Sequence, residues 1–329
     1  MRGIGDRRGR RGALIVAALA LGAPEALAQE SWPAKPIHFI VPFQAGSSSD
    51  TIARIVAQPL SERLGQQIVV EDRVGGSGIV GTEAVARARP DGYTIGLANT
   101  STHAAVVALN PSLPFDPVKD FTPVALIGSA PFALMASPTV PAHTVSGLIA
   151  LARAKPFGVT YASAGQGTLS HLAAALFEKM AEVQLTHVAY RGTSQSSLDL
   201  MEGRVDLLFG TIAPSLASVR AGKIQALATT GEQRNPMLPD VPTVAESGLA
   251  GYEAALWTAI VLPAGTPPGI VTRLHQEIVA AVKTPAAQAA LRQQGVDAET
   301  STPAALATRI KTDVEKWQGV VTAAGIKPQ

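Results

Sequence analysis

The chain has 329 residues, of which 47% are hydrophobic and 16% are charged, with 27 Lys and Arg against 25 Asp and Glu. This length and composition predict a globular protein that is large enough for two domains. There is no cysteine, which excludes disulfides, thiolate metal sites, a cysteine nucleophile and a lipoprotein anchor.

The first 28 residues have the pattern of a secretory signal. Five arginines precede an apolar run at residues 13–22, and small residues follow at 26–28. The pattern predicts cleavage after Ala28 and export to the periplasm, by the Sec rather than the twin-arginine route. The run is about half as long as a membrane span, so no permanent anchor is expected. The remaining chain carries 22 Lys and Arg against 23 Asp and Glu, which gives a nucleic-acid partner no electrostatic support.

Short β-rich runs alternate with segments of helical period through the rest of the chain. Strands are predicted at residues 37–41, 68–71, 93–98, 124–127, 159–162, 186–190, 205–209, 224–228 and 256–262. Helices are predicted at residues 51–64, 80–89, 145–155, 169–181, 196–202 and 268–283, before a helical C-terminus. Pro59 is expected to kink or split the first helix. The alternation predicts an α/β fold with parallel sheets covered by helices.

Two clusters of Pro and Gly, at residues 128–141 and 239–251, predict a division of the chain into two lobes. Lobe 1 is predicted to be discontinuous, with residues 29–135 and 252–329, and lobe 2 to comprise residues 136–251. Two crossings between the lobes would form a hinge, and the cleft between them is a natural ligand site.

Each predicted lobe has a Gly- and Ser-rich junction between a strand and a helix. The first junction runs from Phe43 to Asp50 and the second from Ser163 to Thr168. The first N–H groups of a helix are free to bind an anion, so two such junctions across a cleft suit a dicarboxylate. Alternatively, these residues only form turns and helix caps.

The candidate ligand-binding residues come from these junctions and from a third one after residue 189. They are Phe43, Gln44, Ala45, Gly46, Ser47, Ser48, Asp50, Ser163, Ala164, Gly165, Gly167, Thr168, His171, Tyr190 and Arg191.

Several of these side chains have an alternative role. Asp50 can accept a hydrogen bond from the ligand or complement the dipole of its own helix. Arg191 can bind a carboxylate bidentately or point into solvent. Tyr190 can line the cleft or pack in a strand. His171, and His103 after a first-lobe strand, can contact the ligand or serve in capping and packing.

Other motifs provide no support for catalysis or a cofactor. Residues 76–81 match G-x-G-x-x-G, but no acid follows the next strand, so we interpret the glycines as a turn and close-packing device. The six histidines lack metal-ligand spacing, and no nucleophile, base and oxyanion donors can be assembled. We therefore expect no metal, no cofactor and no catalytic residues. Trp257 is expected in the core.

A series of short motifs runs in order from about residue 32 to residue 328. No single motif is decisive, and the specificity lies in the ordered series, at residues 41–46, 70–78, 89–94, 116–123, 162–168, 190–192, 239–246 and 263–267. In this order they resemble the solute-binding proteins of tripartite tricarboxylate transporters, the Bug receptors.

The resemblance implies a two-lobed periplasmic-binding-protein fold of type II, in which each lobe is a mostly parallel sheet flanked by helices. It implies a receptor that closes on a small di- or tricarboxylate or aromatic acid and delivers it to membrane permease subunits. Family members hold the carboxylate with backbone amides, small hydroxyls and waters at the two loops that correspond here to residues 43–50 and 163–168. We expect a monomer.

This chain departs from the family pattern in two places. The first loop has Ser47, Ser48 and Ser49 where relatives usually carry a second glycine, so ligand preference is expected to differ. Residues 72–78 also differ, and that change is expected to affect a structural turn.

Two other functions remain open at this point. A receptor of this kind can serve a membrane sensor kinase instead of a permease. An enzyme on a similar two-lobed scaffold would need catalytic groups in the cleft, where the sequence offers Asp50, His103 and His171.

Overall fold

The computed structural model describes residues 32–190 and 193–326. The predicted signal segment and Arg191 lie outside these residues. The described strands are β1 (Ile37–Val41), β2 (Ile68–Asp72), β3 (Thr94–Asn99), β4 (Phe121–Ala136), β5 (Thr160–Ser163), β6 (Thr186–Ala189), β7 (Leu207–Thr211), β8 (Gln225–Thr229), β9 (Ala255–Pro263) and β10 (Asp297–Ala298).

The described α-helices follow the strands in the expected alternation. They are α1 (Ser48–Leu64), α2 (Ile79–Ala86), α3 (Val106–Leu109), α4 (Val145–Ala154), α5 (Leu169–Ala181), α6 (Thr193–Met201), α7 (Ile212–Arg220), α8 (Pro268–Val282), α9 (Pro285–Gln293) and α10 (Pro303–Ala323). A π-helical turn, Ser101–Ala105, precedes α3. None of the helices in the described ranges is long and apolar enough to span a bilayer.

The structure differs from the predicted elements at two prolines. The fourth predicted strand is much longer than residues 124–127, because β4 continues through Pro131, which lies opposite Ala255 of β9. Shifts in the β4–β9 register near Pro123 accommodate the irregular segment, as β-bulges do. Helix α1 also continues past Pro59 instead of splitting there. Burial of Val56 and Leu60 on either side of Pro59 stabilises the helix despite the lost hydrogen bond.

The strands form one mixed sheet in the order β2-β1-β3-β9-β4-β7-β5-β6, with β8 and β10 also paired to β4. Residues 121–131 of β4 pair with β9, Phe132 to Ala136 pair with β7, and Ala133 to Ala136 also pair with β8. We call the strands on either side of this change the first half-sheet (β1, β2, β3, β9, β10) and the second half-sheet (β5 to β8). The chain passes between them within β4 and again between β8 and β9.

Strand direction places the carboxyl ends of the two half-sheets opposite each other. Strand β9 is antiparallel to both β3 and β4, so β3 and its parallel neighbours β1 and β2 run in the direction of β4, toward the second half-sheet. Strand β7 is antiparallel to β4, so β7, β5 and β6 run toward the first half-sheet. In each half-sheet, the central parallel strand, β1 or β5, leads into a long helix, α1 or α5.

Helix α10 packs on both half-sheets. Leu306 near its start belongs to the same apolar cluster as Trp257 of β9. Trp317, further along, belongs to the cluster that contains Phe177 of α5. Trp257 lies fully in the core, as expected, and its Nε1 donates to Asp313 of α10 at 2.6 Å. The predicted lobe boundaries remain a prediction.

His103 lies in the π-helical turn and packs in the core. Its ring meets Phe121 edge-on at 4.6 Å, and Nδ1 lies 3.0 Å from the Thr102 hydroxyl. Burial lowers the pKa of His103 from 6.5 to about 3. This geometry fits the packing alternative for His103.

We expect His103 to make the fold sensitive to acid. Below about pH 6.5 the unfolded chain binds a proton that the folded protein excludes until about pH 3, so stability falls as the pH is lowered through this window. From the two pKa values, this residue alone should cost about 2 kcal/mol of unfolding free energy between neutral pH and about pH 5.

Urea titrations at both pH values measure the effect. The variant His103→Leu should lose about 2 kcal/mol less than the natural protein on acidification, whatever its stability at neutral pH. An equal loss in both proteins would show that His103 already takes up a proton in the folded state.

Candidate ligand-binding site

The first loop connects β1 to α1 and is held by its own hydrogen bonds. Asp50 N–H donates to the Ser47 hydroxyl at 3.2 Å, so Ser47 caps the helix, and Gly46 N–H donates to the Asp50 carboxylate at 2.8 Å. Gly46 has a φ of +77°, which favours glycine. The first helical hydrogen bond comes from Thr51 to the Ser47 carbonyl, so the amides of residues 48 and 49 precede the helical ladder.

Asp50 brings a buried carboxylate to the start of α1. Its Oδ1 lies 2.7 Å from Nε of Arg54, and Nη2 of Arg54 lies 3.2 Å from a carboxylate oxygen of Asp72. Burial raises the pKa of Asp72, and the neighbouring charge of Asp50 adds to the rise. The charge of Asp50 is therefore matched by Arg54 and by the helix dipole, which fits its capping role.

The second loop connects β5 to α5 and is held by side chains from the first turn of that helix. Ala164 N–H donates to the Ser170 hydroxyl at 2.9 Å, and Gly167 N–H donates to Nδ1 of His171 at 3.0 Å. The Thr168 hydroxyl donates to the Gly165 carbonyl at 2.7 Å. These bonds fix the loop, while no side chain caps the first turn of α5 and no acid lies in it.

Three stacked rings lie beneath the second loop. His171 and His187 are 4.0 Å apart between ring centroids with planes at 9°, and Tyr161 stacks on His187 at 4.9 Å. Nε2 of His187 lies 2.6 Å from the hydroxyl of Ser163, which is fully buried. Burial, together with the neighbouring His187, lowers the pKa of His171 to about 4, and burial lowers the pKa of His187. Both rings are thus neutral near pH 7.

The two loops extend from the facing carboxyl ends of the half-sheets. Ligands of open α/β sheets bind outside the carboxyl ends of the strands, so this cleft is the candidate site. A separate polar cavity of about 370 Å³ lies along β10, away from both loops. Two of its carboxylates are already engaged, Glu253 by Arg309 at 3.0 Å and Asp297 by Asn235 at 2.8 Å, and neither loop lines the cavity, so we do not place the ligand there.

Known proteins resemble this chain over most of its length. Residues 52–326 match the family model described as the tripartite tricarboxylate transporter family receptor. The chain belongs to this receptor family. It is 33% identical over 315 residues to protein BugT of Bordetella pertussis, covering 95% of this chain and 96% of BugT.

Two solved structures of proteins from Rhodopseudomonas palustris are also similar. One is Rpa4515 with adipate, at 34% identity and a TM-score of 0.74, covering 91% of this chain and 100% of that one. The other is MatC with bound malate, at 32% identity and a TM-score of 0.69, covering 88% and 100%. These likenesses confirm the mixed α/β periplasmic-binding fold expected from the sequence.

The structure brings most of the candidate residues of this family member into the two loops. Residues 43–50 and 163–168 lie at the facing strand ends, and His171 lies beneath the second loop. Tyr190 is half-buried, and its hydroxyl donates to Asp199 of α6 at 2.7 Å, so that hydroxyl is already engaged. Direct ligand contact by any of these residues remains a prediction.

Sequence reasoning missed His187 and Ser170. Ser170 precedes a predicted candidate by one residue and could have been suspected from its place in the first turn of α5. His187 could not, because it reaches Ser163 only through the parallel pairing of β5 with β6, which sets Tyr161 opposite His187.

The cap of the first loop can be tested by stability. Replacing Ser47 with Ala removes the acceptor for the Asp50 amide, so Ser47→Ala should lower the unfolding free energy by about 1 kcal/mol in urea titrations. The neighbouring exposed serine serves as the control, and Ser48→Ala should change stability by less than about 0.5 kcal/mol. Equal stability of both variants and the natural protein would contradict the capping role.

Proposed function

We propose that this protein is an extracytoplasmic receptor that captures a small organic carboxylate between its two loops, closes over it, and delivers it to a tripartite tricarboxylate-type membrane permease. The observation that carries the proposal is the opposed direction of the parallel strands in the two half-sheets, which puts the N-termini of α1 and α5 at strand ends that point toward each other. Family membership supports a receptor in the periplasm.

Helix N-termini attract anions through free amides and the helix dipole. The amides of residues 48 and 49 in the first loop, and the uncapped first turn of α5 in the second, are the proposed donors. The two relatives with adipate and malate support a dicarboxylate as the ligand class. A ligand that touches both loops favours closure by its extra affinity for the closed state.

A hydrogen-bonded serine and histidine, Ser163 and His187, invite comparison with a hydrolase. Ser163 is fully buried. Its hydroxyl also accepts a hydrogen bond from Gly165 N–H and donates one to the Gly165 carbonyl, each at 3.1 Å, which uses its remaining hydrogen-bonding capacity. A nucleophile must reach its substrate, so this pair supports a structural role and the receptor function.

Thermal-shift and calorimetric titrations with malate, adipate, a sugar and an amine test the function. A carboxylate at about 100 times its Kd should add about 2.7 kcal/mol to the stability. If no carboxylate raised the Tm while the sugar or the amine did, the proposed ligand class would be wrong.

The variant Ser48→Leu tests the first loop. A bulky apolar side chain beside the free amides should weaken carboxylate binding about tenfold or more while leaving the ligand-free Tm unchanged, because Ser48 is exposed. The matched control is Ser112→Leu, at an exposed serine in the turn after α3, which should bind as the natural protein does. Equal affinity of both variants would remove the first loop from the site.

A further inference from the structure

The second loop depends on a strand residue that no sequence motif connects to it. His187 of β6 holds the Ser163 hydroxyl at 2.6 Å, and that hydroxyl in turn accepts from Gly165 N–H and donates to the Gly165 carbonyl, each at 3.1 Å. The Ser163 hydroxyl oxygen therefore links Nε2 of His187 to the backbone of Gly165, where the loop turns toward α5. Gly165 has a φ of +134°, so this turn has an unusual backbone geometry that needs support.

Ring stacking fixes the position of His187. Its ring stacks on His171 at 4.0 Å and on Tyr161 at 4.9 Å, and Tyr161 and His171 are themselves 6.3 Å apart, so the three rings form a compact cluster. His171 makes the second attachment to the loop, because its Nδ1 accepts from Gly167 N–H. The three rings therefore hold the loop at both of its positive-φ glycines, Gly165 and Gly167.

The attachment works with uncharged rings. A histidine nitrogen that accepts a hydrogen bond carries no proton, so Nδ1 of His171 is deprotonated. Burial lowers the pKa of both histidines, and the other ionisable groups near the stack are the Tyr161 hydroxyl, whose pKa burial raises, and Glu178 of α5. Neutral rings contribute little direct attraction for a carboxylate, so any effect on binding must come through the geometry of the loop.

We propose that His187 is a positioning residue for ligand binding: through Ser163, and through His171 stacked on it, it fixes the backbone of residues 164–168 so that the first amides of α5 face the ligand. This inference rests on the proposed receptor function. It assigns to His187 a hydrogen-bonding role beyond the filling of space in the core.

Two replacements separate hydrogen bonding from packing. His187→Phe keeps a flat ring in the stack and removes the bond to Ser163. His187→Gln keeps a polar group near the place of Nε2, able to donate or accept, and removes the ring. If His187 positions the loop, His187→Phe should weaken binding of malate or adipate about tenfold, and His187→Gln should bind within about threefold of the natural protein.

The variant Ser163→Ala breaks the same contact from the loop side and adds no volume. It should weaken binding about as much as His187→Phe, and it decides the question if the Phe variant does not fold. The control is Thr186→Val on the same strand, which removes the hydrogen bond to the Phe157 carbonyl at the far end of β6. It should bind as the natural protein does.

Calorimetric titration of each folded variant, with its Tm measured alongside, gives the answer. Binding by the natural protein together with unchanged affinity in His187→Phe or Ser163→Ala would overturn the positioning role and leave the receptor function intact. Tighter binding by His187→Phe than by His187→Gln would overturn it as well, since packing of the ring would then be what matters. Failure of the natural protein to bind any carboxylate would overturn both.

Discussion

The antiparallel pairing along β4 is the constraint on which the site depends. Because β9 is antiparallel to β3 and to β4, and β7 is antiparallel to β4, the parallel strands of the two half-sheets must run toward each other. The loops that follow β1 and β5 therefore extend into the same cleft. No contact between the loops is needed for this arrangement, which leaves the space between them to a ligand.

The two loops are equivalent in position and different in charge. The first turn of α1 contains the buried carboxylate of Asp50, balanced by Arg54, whereas that of α5 contains no acid and lies on neutral histidine rings. The dipole of α1 already acts on Asp50, so we expect the proposed anionic ligand to be attracted more strongly at α5. The rigid support of the second loop by His171 and His187 gives that attraction a fixed geometry.

The sequence was sufficient to predict strands β1 to β9, most of the helices and the two loops, because hydrophobic periodicity and strand-to-helix glycines are local signals. It did not predict the short elements α3 and β10 or the helix α7. It could not show that β4 passes through Pro131 into a second half-sheet, since proline in a strand depends on its partner, here Ala255. The role of His187 was invisible for the same reason. It depends on a register between strands that lie 26 positions apart, Thr160 being opposite Thr186.

The central claim is that a carboxylate bound between the loops draws the two half-sheets together. The chain has no cysteine, so spin labels can be placed at Val80→Cys on α2 and Leu198→Cys on α6. Both side chains are exposed, and the two helices pack on different half-sheets. Pulsed electron resonance then measures the distance between them with and without a dicarboxylate that calorimetry shows to bind. The account predicts a shorter and narrower distance distribution with ligand, and the Ser48→Leu background should need about tenfold more ligand, or more, for the same change. An unchanged distance in the saturated protein would contradict it.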